Sequence, residues 1–154
     1  MERLVLAVVL VIVAAGVAAL LQRRRPDAPT APAEYSVPSQ VDRADFERPE
    51  APWLVAVFTS ATCTTCRGTW AKATILESDD VAVQDVEVVA DAELHRRYQI
   101  DAVPLVVIAD ADGVVRGGFV GPPTATDLWA TVAELREPGS VPPGCDHGQE
   151  PAGA

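Results

Sequence analysis

The stretch Trp53-Leu54-Val55-Ala56-Val57-Phe58-Thr59-Ser60-Ala61-Thr62-Cys63-Thr64-Thr65-Cys66-Arg67 decides the reading of this chain. Trp53 to Phe58 is a continuous apolar run with turn-like flanks, the pattern of a strand buried on both faces. From Arg67 to about Leu76 the sequence reads as a helix. The C-x-x-C of Cys63 and Cys66 therefore falls where a buried strand hands over to a helix. Two thiols three positions apart can close a disulfide across the first helical turn. The first thiol then lies at the helix N-terminus, where unpaired backbone N–H groups favour its thiolate. The thiolate is the species that attacks disulfides, so spacing and placement meet the same chemical need.

Further along, Val81 to Val89 is β-branched and predicts a second strand, and Ala92 to Tyr98 carries helix-forming charged residues. Leu105 to Ala109 is a third apolar strand. Asp110-Ala111-Asp112-Gly113 is a turn, and Val114 to Val120 pairs back as a hairpin. Thr126 to Arg136 sets apolar residues 128, 129, 132 and 135 on one helical face, with Thr124 or Thr126 as N-cap. The order β-α-β-α-β-β-α predicts an α/β sheet covered by helices on both faces. Trp70 and Trp129 lie on helices as packing residues, and Trp53 opens the first strand with part of its ring exposed.

Four zones divide the chain: 1–25, an N-terminal transmembrane anchor with a basic stop; 26–38, a Pro-rich linker; 39–137, the folded domain; and 138–154, a tail disordered by composition. All 18 residues from Leu4 to Leu21 are apolar, counting Gly16, which is long enough for a bilayer. A cleaved signal peptide is the competing reading; it wants a shorter apolar region and a more basic start. The span has no polar face, which argues against a buried core helix. Arg23, Arg24 and Arg25 follow the span, so the positive-inside rule predicts a single-pass cell-membrane protein with its domain on the cytoplasmic side; Arg3 opposes this, leaving the extracytoplasmic side open. Prolines 26, 29, 32 and 38 make the linker stiff and extended.

The formal charge of −10, from 22 acids against 12 Lys and Arg, argues against nucleic-acid binding, which needs a basic face. Cys63, Cys66 and Cys145 are the only cysteines, and an odd number with two in C-x-x-C is not a structural disulfide framework. A metal site built from the C-x-x-C needs further ligands, for which only Cys145, His147 and His95 offer themselves; one hook with scattered partners makes a poor zinc or copper site. Cys145 reads either as a free tail thiol or as a regulatory partner of Cys63.

The C-x-x-C after the first buried strand, in this order of elements, resembles the thioredoxin superfamily. Tyr98-Gln99-Ile100-Asp101-Ala102-Val103-Pro104-Leu105 looks like the segment that ends in a cis-proline there, and Asp112-Gly113 followed by Phe119-Val120-Gly121 looks like its closing hairpin. The matches span residues 53 to 136. The resemblance implies a thioredoxin-like fold, a central mixed sheet flanked by helices. It implies Cys63 as nucleophile and Cys66 as resolving thiol. It also implies Pro104 in cis, with the backbone of Val103 binding substrate as an added strand. Without the resemblance, a trans proline at a strand's first residue is the commoner case. Thr64, Thr65 and Arg67 would tune the couple, the hydroxyls by hydrogen bonds and Arg67 by its charge.

The departures matter as much. Thioredoxin carries Trp-Cys-Gly-Pro-Cys-Lys; here Thr62 precedes Cys63, and Val57 occupies the place of its buried Asp. Asp85 and Glu87 are candidates for the missing proton route, or else solvated strand-end residues. The helix after Cys66 is shorter, and the region before Trp53 too short for the usual first strand and helix. The resemblance thus points to a divergent, membrane-tethered thiol–disulfide oxidoreductase acting on protein thiols and disulfides. It needs no organic cofactor and no metal, but does need a redox partner to recycle the dithiol. The alternatives are a non-catalytic docking module of the same fold and a zinc or copper binder.

Overall fold

The computed structural model describes residues 36–141. Strand β1 (Trp53–Thr59) is fully buried beyond Trp53, as its unbroken apolar run requires, because it lies inside the sheet with helices on both faces. Strand β2 (Val81–Glu87) pairs with it in parallel, and β3 (Leu105–Ala109) pairs with it antiparallel. Strand β4 (Val115–Val120) folds back on β3, giving the order β2-β1-β3-β4. Three α-helices complete the domain: α1 (Thr64–Ala73), α2 (Ala92–Arg97) and α3 (Ala125–Arg136).

Alternation along the strands divides the core in two. Leu54, Ala56 and Phe58 join Ala82, Val86, Leu105 and Val107 under α2, which contributes Leu94, with Tyr98 beside it. Val55, Val57, Val81, Val106 and Ile108 face α1 and α3, which supply Ala73, Leu128 and Val132. Each large side chain buried this way stabilises the fold by about 1.5–3 kcal/mol before its ordering entropy is counted.

The element ends move for local reasons. Helix α1 starts at Thr64 rather than Arg67, because Cys63 caps it, and it tightens into a 3-10 turn over Thr74–Leu76. Strand β2 stops at Glu87, where a turn begins. Strand β4 starts at Val115, since Val114 forms an isolated bridge with Gln40. Helix α3 starts at Ala125 because the Thr124 hydroxyl accepts from Asp127 N–H at 3.1 Å.

Of the stretch read as linker, residues 36–38 lie among the described residues. Val37 packs on the core, and Val115 N–H donates to the Ser39 carbonyl at 3.0 Å. Gly118 makes room for this segment: a Cβ there would lie 2.7 Å from Val37 Cγ1. A short 3-10 turn, Arg43–Asp45, and the Gln40–Val114 bridge stand where a longer first strand and helix were judged not to fit. Ser36 lines a small crevice with Ala102, Leu105 and Val120, beside the loop that precedes β3.

Trp129 is not the packing residue its helical position suggested. It is 38% exposed, and its indole N–H donates to the Lys72 carbonyl at 3.0 Å. The amphipathic ring ties α3 to the end of α1 instead of filling the core. Trp70 does pack against the core, and Trp53 is half-buried beside it. Among the described residues no helix is long and apolar enough to cross a membrane. The expected anchor and Arg23–Arg25 lie outside the described residues, as do Cys145 and His147.

Candidate active site

Cys63 is the N-cap of α1, with extended backbone (φ −86°, ψ 110°), and its sulfur accepts the Cys66 N–H at 3.1 Å. A helix leaves its first N–H groups without intrahelical partners, and here one of them finds sulfur. The loop that delivers Cys63 closes on itself, since Cys63 N–H donates to the Ser60 carbonyl at 3.0 Å. Ser60 and Thr62 share a hydroxyl hydrogen bond of 3.1 Å. Cys63 and Cys66 form a disulfide with Cα atoms 5.4 Å apart. Cys63 is half-buried, while Cys66 is only 2% exposed. The asymmetry suits an attacking sulfur that meets partners and a second one that does not.

The residues expected to tune the couple divide. A disulfide sulfur carries no proton, so the 3.4 Å contact between Thr65 Oγ1 and Cys63 Sγ is a hydrogen bond donated by the hydroxyl. Thr64 makes no such bond among the described residues, although the sequence offered both hydroxyls. Arg67 is exposed and has no ion-pair partner among the described residues, leaving its charge to act through space.

Pro104 reaches the same end of the sheet by register. Phe58 pairs with Leu105, so the residues after β1 and those before β3 emerge together. The Val103–Pro104 peptide bond is cis, Pro104 is buried, and its carbonyl accepts the Gly121 N–H at 2.8 Å. Val103 packs partly against the core. Its backbone N–H and C=O bond to no described residue.

Of the two acids offered as a proton route, neither is hydrogen-bonded toward Cys66. Asp85 is exposed and accepts from the Thr59 hydroxyl at 2.6 Å. Glu87 accepts three backbone N–H groups: Ala61 at 3.0 Å, Val89 at 2.8 Å and Ala90 at 3.0 Å. These bonds, led by Ala90 and then Ala61, hold its carboxyl below the usual carboxylate range. The clamp escaped sequence reasoning because its donors come from two loops, and Val88-Val89 after Glu87 reads as a continuation of the strand. Val57 is fully buried in the core, as an apolar residue there should be.

His95 is a core histidine. Its Nε2 lies 2.9 Å from the Val86 carbonyl, which makes it the protonated nitrogen, and its ring meets Phe58 edge-on. Among the described residues no group of three or more His, Cys, Asp and Glu is placed to hold a metal ion.

A mixed sheet with a disulfide at the start of the helix after its first strand, and a cis-proline opening the antiparallel strand beside it, defines the class of fold. The germline-specific thioredoxin Deadhead of Drosophila melanogaster is similar over 56% of this chain and 84% of its own, at 21% identity and a TM-score of 0.50. A malarial protein matches over 54% of this chain and 96% of its own, at 14% identity and 0.50. The thioredoxin of Fasciola hepatica matches over 55% and 81%, at 27% identity and 0.48. No family model matches the chain, and no curated protein matches it by sequence. The domain has the thioredoxin fold.

Proposed function

We propose that the chain is a thiol–disulfide oxidoreductase acting on protein substrates. The observation that carries this is the asymmetry of the pair, a half-buried Cys63 sulfur receiving hydrogen bonds at a helix start and a buried Cys66 one turn inward. In the reduced state the Cys66 N–H and the Thr65 hydroxyl would stabilise the Cys63 thiolate, as charge-assisted hydrogen bonds do. The thiolate attacks one sulfur of a substrate disulfide, forming a mixed disulfide and releasing the other sulfur as a thiolate that takes a proton from water. Cys66 then loses its proton and attacks Cys63 Sγ. This closes the Cys63–Cys66 disulfide and frees the second substrate sulfur; two electrons pass to the substrate, and a redox partner returns them. The reverse sequence oxidises a dithiol. The unpaired backbone of Val103, ahead of Pro104, would hold the substrate as an added strand.

Residues 4–21 would tether the domain as a single membrane span, with Arg23–Arg25 on the cytoplasmic side. A reporter fused after residue 137 tests that placement without reference to the chemistry. The chemistry is tested by insulin reduction with the full-length chain. Cys63→Ser should abolish it, Cys66→Ser should accumulate a mixed disulfide on Cys63, and Cys145→Ser should leave the rate unchanged. Equal activity in Cys63→Ser, or no activity in the parent chain, favours the docking-module reading.

A further inference from the structure

Glu87 is the last residue of β2 and pairs in register with Thr59, the last of β1. Its main chain is fixed from both sides: its N–H donates to Asp91 Oδ2 at 3.1 Å, and its carbonyl accepts the Asp91 N–H at 2.8 Å. The next residue, Val88, donates to the Thr59 carbonyl at 3.0 Å. From this anchored position the carboxylate spans two loops. One oxygen takes the N–H of Ala61, two residues before Cys63; the other takes Val89 and Ala90 in the loop after β2. Val89 is 81% exposed, so this second loop presents an apolar side chain to solvent beside the clamp.

We infer that Glu87 is a positioning residue for the nucleophile, acting through the Ala61 amide to hold Cys63 at the helix cap where its thiolate is stabilised; this rests on the oxidoreductase reading above. All three loop groups are donors, so both side-chain oxygens must accept. A carboxylate does this and no other side chain of that shape does. Glutamine would turn its NH2 either at Ala61 or at Val89 and Ala90, setting donor against donor, and one loop would come free. Glu87 is ionised throughout the physiological range, its folded pKa lying below the usual one, so the clamp is a standing device rather than a switch.

The consequence separates positioning from simple electrostatics, because the two have opposite signs. Removing a negative charge near a thiolate should lower its pKa. Releasing the loop should raise it, because the sulfur no longer sits against the Cys66 N–H. The experiment is the pH dependence of Cys63 alkylation by iodoacetamide in the reduced full-length chain carrying Cys145→Ser, compared with Glu87→Gln and Glu87→Ala on that background. Asp110→Asn serves as a control at the opposite end of the sheet. The expected result is a Cys63 pKa about one unit higher in both Glu87 variants, roughly a tenfold loss of thiolate at a pH below both pKa values, with none in Asp110→Asn. An unchanged or lowered Cys63 pKa overturns the inference.

A second measurement uses the unaltered residue and so survives a variant that fails to fold. Amide hydrogen exchange in the parent chain should show Ala61, Val89 and Ala90 protected by about tenfold or more; exchange of Ala61 at the rate of a free amide also overturns the inference. Alkylation does not require that the chain reduce disulfides. A failure here with intact insulin reduction sinks only the role of Glu87, whereas lost insulin reduction with the expected pKa shift sinks only the oxidoreductase reading.

Discussion

The two ends of the sheet use their polar side chains for different purposes. At the end away from the dithiol they fasten distant parts of the chain together. Arg43, 7% exposed, donates to the carbonyls of Asp110 at 2.8 Å and Arg48 at 3.3 Å. Asp110 accepts the Asp112 and Val114 N–H groups, each at 3.0 Å, and pairs with Arg116. The Tyr98 hydroxyl receives the Asp42 N–H at 3.0 Å and donates to Asp45, which also pairs with Arg97. At the dithiol end, the sulfur's own partners come from the first turn of α1, while Glu87 and the Thr59–Asp85 hydrogen bond tie neighbouring elements together. One end closes the N-terminal segment onto the sheet; the other keeps a sulfur in place and partly uncovered. Substitutions at the two ends should therefore separate stability from reactivity.

The largest effect belongs to the turn that closes the far end. Gly113 has φ +76°, and a Cβ there would lie 2.0 Å from the Val41 carbonyl oxygen. Gly113→Ala combines left-handed backbone strain with a backbone clash and should cost about 3 kcal/mol or more in denaturant unfolding. Cys63 alkylation of the folded fraction should not change. A change in both would mean that the two ends are coupled.

Tyr98→Phe should cost about 1–2 kcal/mol, since it leaves the Asp42 N–H and the Asp45 carboxylate short of a partner. It also tests a pH dependence. Burial first, and the hydrogen bond to Asp45 second, push the Tyr98 phenol up to about 12. The folded state thus favours the neutral phenol. Its contribution is complete below the ordinary tyrosine value of about 10 and is lost as pH rises through the folded value. Thermal unfolding of the parent chain should fall more steeply above pH 10 than that of Tyr98→Phe.

The smallest effect sharpens the other side of the comparison. Thr65→Val keeps the side chain's shape and removes the hydroxyl that donates to Cys63 Sγ. Cys63 alkylation near neutral pH should slow by a few-fold, as losing one modest hydrogen bond of about 0.5–1 kcal/mol implies. Chemical stability should stay within about 0.5 kcal/mol. A loss of stability without a change in alkylation would assign Thr65 to the fold instead of the site.

What the sequence made legible follows from how local each feature is. The buried strands β1 and β3 declared themselves because a strand covered on both faces must be apolar at every position. The cap at Cys63 and the turn at Gly113 are also local, each a matter of a few adjacent residues. Pro104 needed the resemblance, since the geometry of one proline is not written in its neighbours. Propensity alone starts α1 only at Arg67, because Thr64 and Thr65 are poor helix formers, and the Cys63 cap overrides it. Val37 was hidden by the prolines around it; its seat exists because Gly118, remote in sequence, lacks a side chain. Glu87 was seen as a possible proton carrier and proved to be a clamp. Its donors lie in loops that only the folded sheet brings together.

The central claim is that Cys63 and Cys66 form a reversible redox couple rather than an inert pair. It is tested most directly by equilibrating the full-length chain in glutathione redox buffers and counting the free thiols of the pair. The account predicts a single two-electron transition between about −270 and −120 mV, the range of thioredoxin-fold couples. Cys63→Ser should abolish it, and Cys145→Ser should leave it unmoved. A pair that stays reduced in the most oxidising buffer, or oxidised in the most reducing one, would contradict the account.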